Sequence, residues 1–204
     1  MIEELNIAFI GVGGTGVITA AQIIAEAALK EGYNAVQGEI HGLAQRGGSV
    51  LCEVRIGSKV YGPIIPTGRT DIIVSLEPIE VGRIAHKIKD DGIVIMNTYK
   101  ILPPIFSEGK AEYPDVDKIK EIISELTQNI YSLDAYEIAK KAGFVQAMNI
   151  AMIGALLALE ELPIKRETVE EIIKSRFRKE THESNIKALE LGYNKMKDLL
   201  KNQK

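Results

Sequence analysis

The feature that most limits the possible folds is a junction near the start of the chain. Leu5-Asn6-Ile7-Ala8-Phe9-Ile10 runs straight into Gly11-Val12-Gly13-Gly14-Thr15-Gly16, and Val17 to Lys30 then stays almost wholly apolar until Glu31-Gly32. A short apolar run bounded by glycines has the length of a buried strand, and an apolar stretch of about three turns that stops at glycine fits a helix pressed on a sheet. The opening is therefore strand, glycine turn, helix. The turn satisfies the pattern G-x-G-x-x-G, in which glycines permit a tight bend and close backbone approach, while unpaired amides at the helix start attract an anion.

The same alternation continues. Ala35 to Ile40 reads as a second strand and Ser49 to Ile56 as a third, alternating one. Gly57-Ser58 signals a hairpin into Lys59-Val60-Tyr61, so this part of the sheet is expected to be antiparallel. Thr70 to Leu76 returns to the fully apolar pattern of a buried strand, Pro78 opens an expected helix through Ile88, and Asp91-Gly92 introduces a strand over Ile93 to Asn97. Pro103, Pro104, Gly109 and Pro114 mark a loop. A helix over Val116 to Leu126, a strand over Asn129 to Leu133 and a helix over Ala135 to Ala142 follow. The last third holds Asn149 to Leu162, apolar nearly all round, then two amphipathic stretches, Glu167 to Phe177 and Glu183 to Leu200. The fold class this predicts is α/β: a Rossmann-like, mixed but mostly parallel sheet with flanking helices, and a helical C-terminal extension over about 145–204. No linker or internal repeat divides the chain, so residues 1–204 are expected to form one domain.

Composition removes several function classes. A formal net charge of −3 supplies no basic footprint for nucleic acid. The one cysteine, Cys52, lies in an apolar segment, so neither an internal disulfide nor a Cys/His cluster with metal-ligand spacing is available. The start MIEELNIAFIG puts acidic residues before the apolar run and shows no basic region or cleavage site, and no segment has the ~18 apolar residues of a membrane span. A cytoplasmic location, without membrane attachment, is the expectation.

Two stretches carry chemistry. Gly11, Gly13, Gly14 and Gly16 are candidate binding residues by the anion argument above. A dinucleotide site would also need an acidic residue about 20 positions on, at the end of the second strand. Glu39 is somewhat late for that, and it stands beside His41. The second stretch is His41-Gly42-Leu43-Ala44-Gln45-Arg46-Gly47-Gly48-Ser49, where the helix of a nucleotide-binding βαβαβ half would begin. Gly47 and Gly48 allow close approach, and His41, Gln45 and Arg46 offer a titratable ring, an amide and a planar cation with five donors. No nucleophile elbow accompanies His41, so no catalytic residue is assigned. Three other features have plainer readings: Gln146-Ala147-Met148-Asn149 as capping and core packing ahead of a partner contact, Arg176, Arg178 and Lys179 with Glu180 as a solvated helix end, and Tyr61-Gly62-Pro63-Ile64-Ile65-Pro66 as an exposed apolar segment suited to a subunit contact.

Taken together, GVGGTGVITAAQIIAEAA, GEIHGLAQRGGSV, EVRIGSKVYGPIIP and TDIIVSLEPIE resemble the gamma-type domain of the 2-oxoacid:ferredoxin oxidoreductases, from about Leu5 to Leu162. Arg46-Gly47-Gly48 carries the likeness to the superfamily, and His41 with Gln45 the likeness to the branch formed by indolepyruvate ferredoxin oxidoreductase beta subunits. The resemblance implies a subunit that bears no redox cofactor. Thiamine diphosphate and iron–sulfur clusters would reside in a larger partner subunit, and ferredoxin would meet the complex. The activity implied is oxidative decarboxylation of an aryl pyruvate to its acyl-CoA, with coenzyme A as substrate, and the chain alone would be inactive. Gly11 to Gly16 and the Arg46 loop would then face the partner subunit or the phosphates of coenzyme A. Two other classes fit the glycine turn: a stand-alone NAD-dependent oxidoreductase, and a non-catalytic nucleotide-sensing or scaffolding subunit.

Overall fold

The structure is a computed structural model that describes residues 2–42, 47–102, 112–159 and 162–202. Among the described residues six strands form one sheet: β1 (Leu5–Val12), β2 (Ala35–His41), β3 (Ser49–Ile56), β4 (Thr70–Ser75), β5 (Ile88–Asn97) and β6 (Ile130–Leu133). Among the described residues the helices are α1 (Val17–Lys30), α2 (Glu80–Arg83), α3 (Val116–Ser124), α4 (Ala135–Ala142), α5 (Met148–Leu157), α6 (Arg166–Arg176) and α7 (His182–Asn202). The strand order is β2-β3-β1-β4-β5-β6. β1, β4, β5 and β6 run parallel, whereas β3 lies antiparallel to both β1 and β2. The expected mixed, mostly parallel α/β sheet is thus what forms.

Side-chain alternation along each strand sorts the core into two layers. Ile7, Phe9, Cys52, Val54, Ile72 and Val74 face α1 and α4 to α7 in the larger cluster. Ala8, Ile10, Leu51, Ile73, Val94 and Met96 face α2, α3 and Ile65 in the smaller one. α5 is buried along its whole length, which explains its all-round apolar sequence. It lies against α7 so closely that a Cβ on Gly154 would meet the Leu189 carbonyl, and one on Gly192 the Ala151 carbonyl.

Three expectations need correction. Lys59-Val60-Tyr61 is not a strand: β3 is already paired on both edges, by β1 and β2, so a hairpin return has no free edge. The chain instead crosses the N-terminal segment, with the Ser58 and Lys59 amides donating to the carbonyls of Ile2 and Glu3 (3.2 and 3.0 Å). The helix expected from Pro78 to Ile88 is only the single turn α2, a 3₁₀ turn at Ala85–Lys87, and then β5, which starts at Ile88. Gly82 weakens any longer helix here, and Ile88 pairs with Thr70 in the sheet. The helix expected over Asn149 to Leu162 ends at Leu157.

Candidate functional site

The strand order reverses direction between β1 and β4: from β1 the chain passes to the β2 and β3 side, and from β4 it proceeds to β5 and β6. In open α/β sheets the crevice at such a point, beyond the C-terminal ends of the strands, is where ligands bind. The glycine stretch occupies that position. Gly11 is still in β1, opposite Val50, and a side chain there would bring its Cβ to 3.0 Å from Leu76 Cβ and Val17 Cγ2. The turn itself is closed by Thr15, whose amide and hydroxyl both donate to the Val12 carbonyl (3.1 and 2.7 Å). The Gly13 amide donates to the Gly48 carbonyl (2.9 Å), which joins the turn to the second predicted stretch.

Gly16, with φ 83°, caps α1 in the left-handed conformation. It offers no capping side chain, and the first turn of α1 holds no acidic residue, so among the described residues no side chain caps its opening amides. Two open clefts flank them. One, of about 590 Å³, lies between the turn and β2, with His41, Gly42 and Val50 on its far wall. The other, of about 740 Å³, lies on the opposite side, bounded by Phe144, Asn149, Arg176, Arg178 and Asn185. Glycines 14 and 16 border both.

Of the predicted site residues, the structure therefore brings together Gly11, Gly13, Gly14, Gly16, His41 and Gly48, and gives Gly47 a left-handed φ of 73°. Gln45 and Arg46 lie outside the described residues. The dinucleotide reading loses its acidic partner. β3 separates β2 from β1, which puts Glu39 two strand spacings (about 10 Å) from the strand that carries the turn. Its carboxylate accepts from His41 Nε2 at 3.1 Å on the exposed edge instead.

Two features treated as background belong to the site. Arg176 is exposed, as a solvated helix end would be, but it also donates to Gln22 at 2.7 Å and to the Glu26 carboxylate, both on α1, and Arg178 lies at the second cleft. Asn149 reaches across from α5 and donates through Nδ2 to the Gly16 carbonyl at 3.2 Å. Nothing periodic announces either contact. The one available signal was a single asparagine opening an otherwise apolar helix.

Beyond β4, the fully buried Glu77 organises the neighbouring loops. Its carboxylate accepts from Tyr113 Oη (2.5 Å) and from the amides of Ile79 (2.9 Å) and Ile101 (3.3 Å). Burial raises its pKa above the usual carboxylate value, more than these donors lower it. Cys52 sits at the core with its thiol pushed up to about 12 by burial, which makes it an inert packing group. No group of three or more metal-ligating side chains occurs among the described residues, and none of their helices is long and apolar enough to cross a membrane.

Residues 6–195 match the pyruvate ferredoxin/flavodoxin oxidoreductase family. The chain belongs to that family. It is 44% identical over 191 residues, 94% of each chain, to the indolepyruvate oxidoreductase subunit IorB of Archaeoglobus fulgidus. It is 38% identical over 200 residues to the protein of the same name from Thermococcus kodakarensis, covering 98% of this chain and 99% of that one. Among solved structures, the gamma subunit of a keto/oxoacid ferredoxin oxidoreductase from Geobacter sulfurreducens superposes with a TM-score of 0.69 at 26% identity, over 94% of this chain and 98% of that one. The strand-reversal crevice and its glycine turn are thus features of a family member.

Proposed function

We propose that this chain is the cofactor-free subunit of an indolepyruvate-type 2-oxoacid:ferredoxin oxidoreductase, a complex that converts an aryl pyruvate to its acyl-CoA and carbon dioxide while reducing ferredoxin. The observation that carries the reading is the end-to-end similarity to subunits named for indolepyruvate oxidoreductase, 44% and 38% identical over nearly the whole of each chain. Thiamine diphosphate, carried by the larger subunit, supplies the stabilisation of the carbanion formed on decarboxylation. Iron–sulfur clusters belong to that subunit as well: a chain with one cysteine, buried in β3, has no thiolate set to hold a cluster. The chain is cytoplasmic and acts only within the complex.

What remains for this chain is to bind and to orient. The amides at the start of α1 are a place for the phosphates of coenzyme A or for a carboxylate of the larger subunit. His41, Gly47 and Gly48, with Gln45 and Arg46 next to them in the sequence, are the proposed contacts beside it, with glycines that permit close approach. A stand-alone dehydrogenase is the weaker reading, because Glu39 is displaced from β1 and paired with His41.

The test is to express the chain with its larger subunit and assay aryl-pyruvate oxidation with coenzyme A and ferredoxin. Arg46→Ala is expected to raise the apparent KM for coenzyme A about tenfold, the loss of one charge-assisted contact, or to weaken assembly. Recovery of the chain alone under gentle conditions, or an Arg46→Ala complex with both properties unchanged, overturns the reading.

A further inference from the structure

Asn149 joins the starts of two helices. Its side chain is 5% exposed, its Nδ2 donates to the Gly16 carbonyl at 3.2 Å, and its Oδ1 accepts from the Ile150 amide at 3.0 Å in the first turn of α5. The Gly16 carbonyl also accepts the first intrahelical bond of α1, from the Ala20 amide at 2.9 Å. One buried amide group therefore grips the peptide from which α1 begins. The fit is close: a Cβ on Gly16 would stand 2.5 Å from Asn149 Nδ2. Gly16 must adopt a left-handed φ there, and the carbonyl that Asn149 holds fixes the plane of the peptide leading into α1.

We propose that Asn149 is a positioning residue for coenzyme A: by holding the Gly16 carbonyl it sets the direction of the first amides of α1, and with it the affinity of the glycine turn for phosphate. The inference rests on the reading of this turn as a coenzyme A-facing element. Helix-start electrostatics falls off within one turn, so a small rotation of these peptides weakens it sharply. Asn149 takes no part in the chemistry. It acts only through Gly16.

Two variants in the assembled enzyme separate positioning from simple support. Asn149→Ala removes the donor and leaves α1 free to reorient. Asn149→Asp presents a carboxylate oxygen that the Gly16 carbonyl repels, and adds a buried negative charge that competes with phosphate. The apparent KM for coenzyme A is expected to rise about fivefold in the alanine variant and about tenfold or more in the aspartate variant, a factor that corresponds to the loss of one helix-start interaction. In both, kcat at saturating coenzyme A falls by less than KM rises, and KM stays raised at temperatures well below melting, where each variant is fully folded. A purely structural role predicts instead that KM is unchanged at temperatures where the variant is fully folded. Equal KM in the two variants, or a loss confined to melting temperature and assembly, overturns the inference. Arg46→Ala, measured alongside, tells the two failures apart. If it raises KM and the Asn149 variants do not, only the role of Asn149 is wrong. If neither Arg46→Ala nor the Asn149 variants alter coenzyme A kinetics or assembly, the coenzyme A reading fails and the inference with it.

Discussion

The two faces of the sheet are held by different physics. On the side of α1 and α4 to α7, helices satisfy most of their own backbone groups, so the packing is mainly apolar, and α5 and α7 come within backbone contact at Gly154 and Gly192. On the other side, loops lie directly on the strands, and their amides and carbonyls need partners from side chains. Arg55 donates to the carbonyls of Gly62 (2.9 Å) and Ile64 (3.3 Å), and also to Asn6 (3.0 Å) and Glu4 (2.7 Å). The Glu4 carboxyl is held below its ordinary pKa, by the Asn6 amide first and by Arg55 next. Glu53 accepts from the Ile65 amide (3.2 Å) and from Lys87 (2.6 Å), whose ammonium also reaches the Ile65 carbonyl (2.7 Å). A helix-covered face tolerates no added volume. A loop-covered face tolerates no lost charge.

That contrast can be broken in three ways. The largest effect is expected at the helix seam: Gly154→Val forces a side chain into the Leu189 backbone and should cost about 4 kcal/mol or more, read from denaturant unfolding. A loss below about 1 kcal/mol would mean that the two helices slide apart freely and that the seam is not closely packed. The next is Lys87→Ala, which leaves the Glu53 carboxylate buried and unpaired and should cost about 3 kcal/mol. Replacing both Glu53 and Lys87 by methionine should recover part of that loss but not all, because the Ile65 amide then lacks its acceptor. Full recovery would show that the strap is held by apolar contact alone.

The smallest effect concerns pH. Because the Glu77 carboxyl is held above its ordinary 4.5, the folded chain binds this proton more tightly than the unfolded chain. Its contribution to stability is complete below about 4.5 and is lost as the pH rises through the raised value. Glu77→Gln should flatten the stability curve in the interval above 4.5 and alter it little elsewhere. An unchanged slope there would place the titration on some other group.

How much of this could be read in advance differs between the two faces. The strand, glycine turn and helix at Leu5 to Lys30 were legible because buried strands and packed helices leave periodic apolar signatures. So was the all-round burial of α5, whereas the sequence points to the wrong partner for the antiparallel part of the sheet, since β3 pairs with β1 and β2 and not with Lys59 to Tyr61. The strap over Tyr61 to Pro66 was only half legible. Tyr61 and Ile64 are exposed, at 89% and 67%, as a subunit contact would have them, but Ile65 is fully buried and Pro63 rests on Gly38. Its anchors, Glu53, Arg55 and Lys87, look in the sequence like ordinary charged residues of an alternating strand and a helix end. Their burial depends on what crosses them, and that segment is distant in the chain.

By itself, the sequence determined the α/β class, the position of the glycine turn and the family to which the chain belongs. All three rest on local periodicity and on residues adjacent in the chain. The tertiary structure decided which strand intervenes between β1 and β2, and so removed Glu39 from the turn. It also decided that Asn149 meets Gly16 across 133 positions, and that the exposed Arg176 pairs with Gln22 and Glu26 of α1. Those choices follow from which edges of the sheet were already paired and which buried polar groups still lacked a partner, and neither condition exists until the chain has folded.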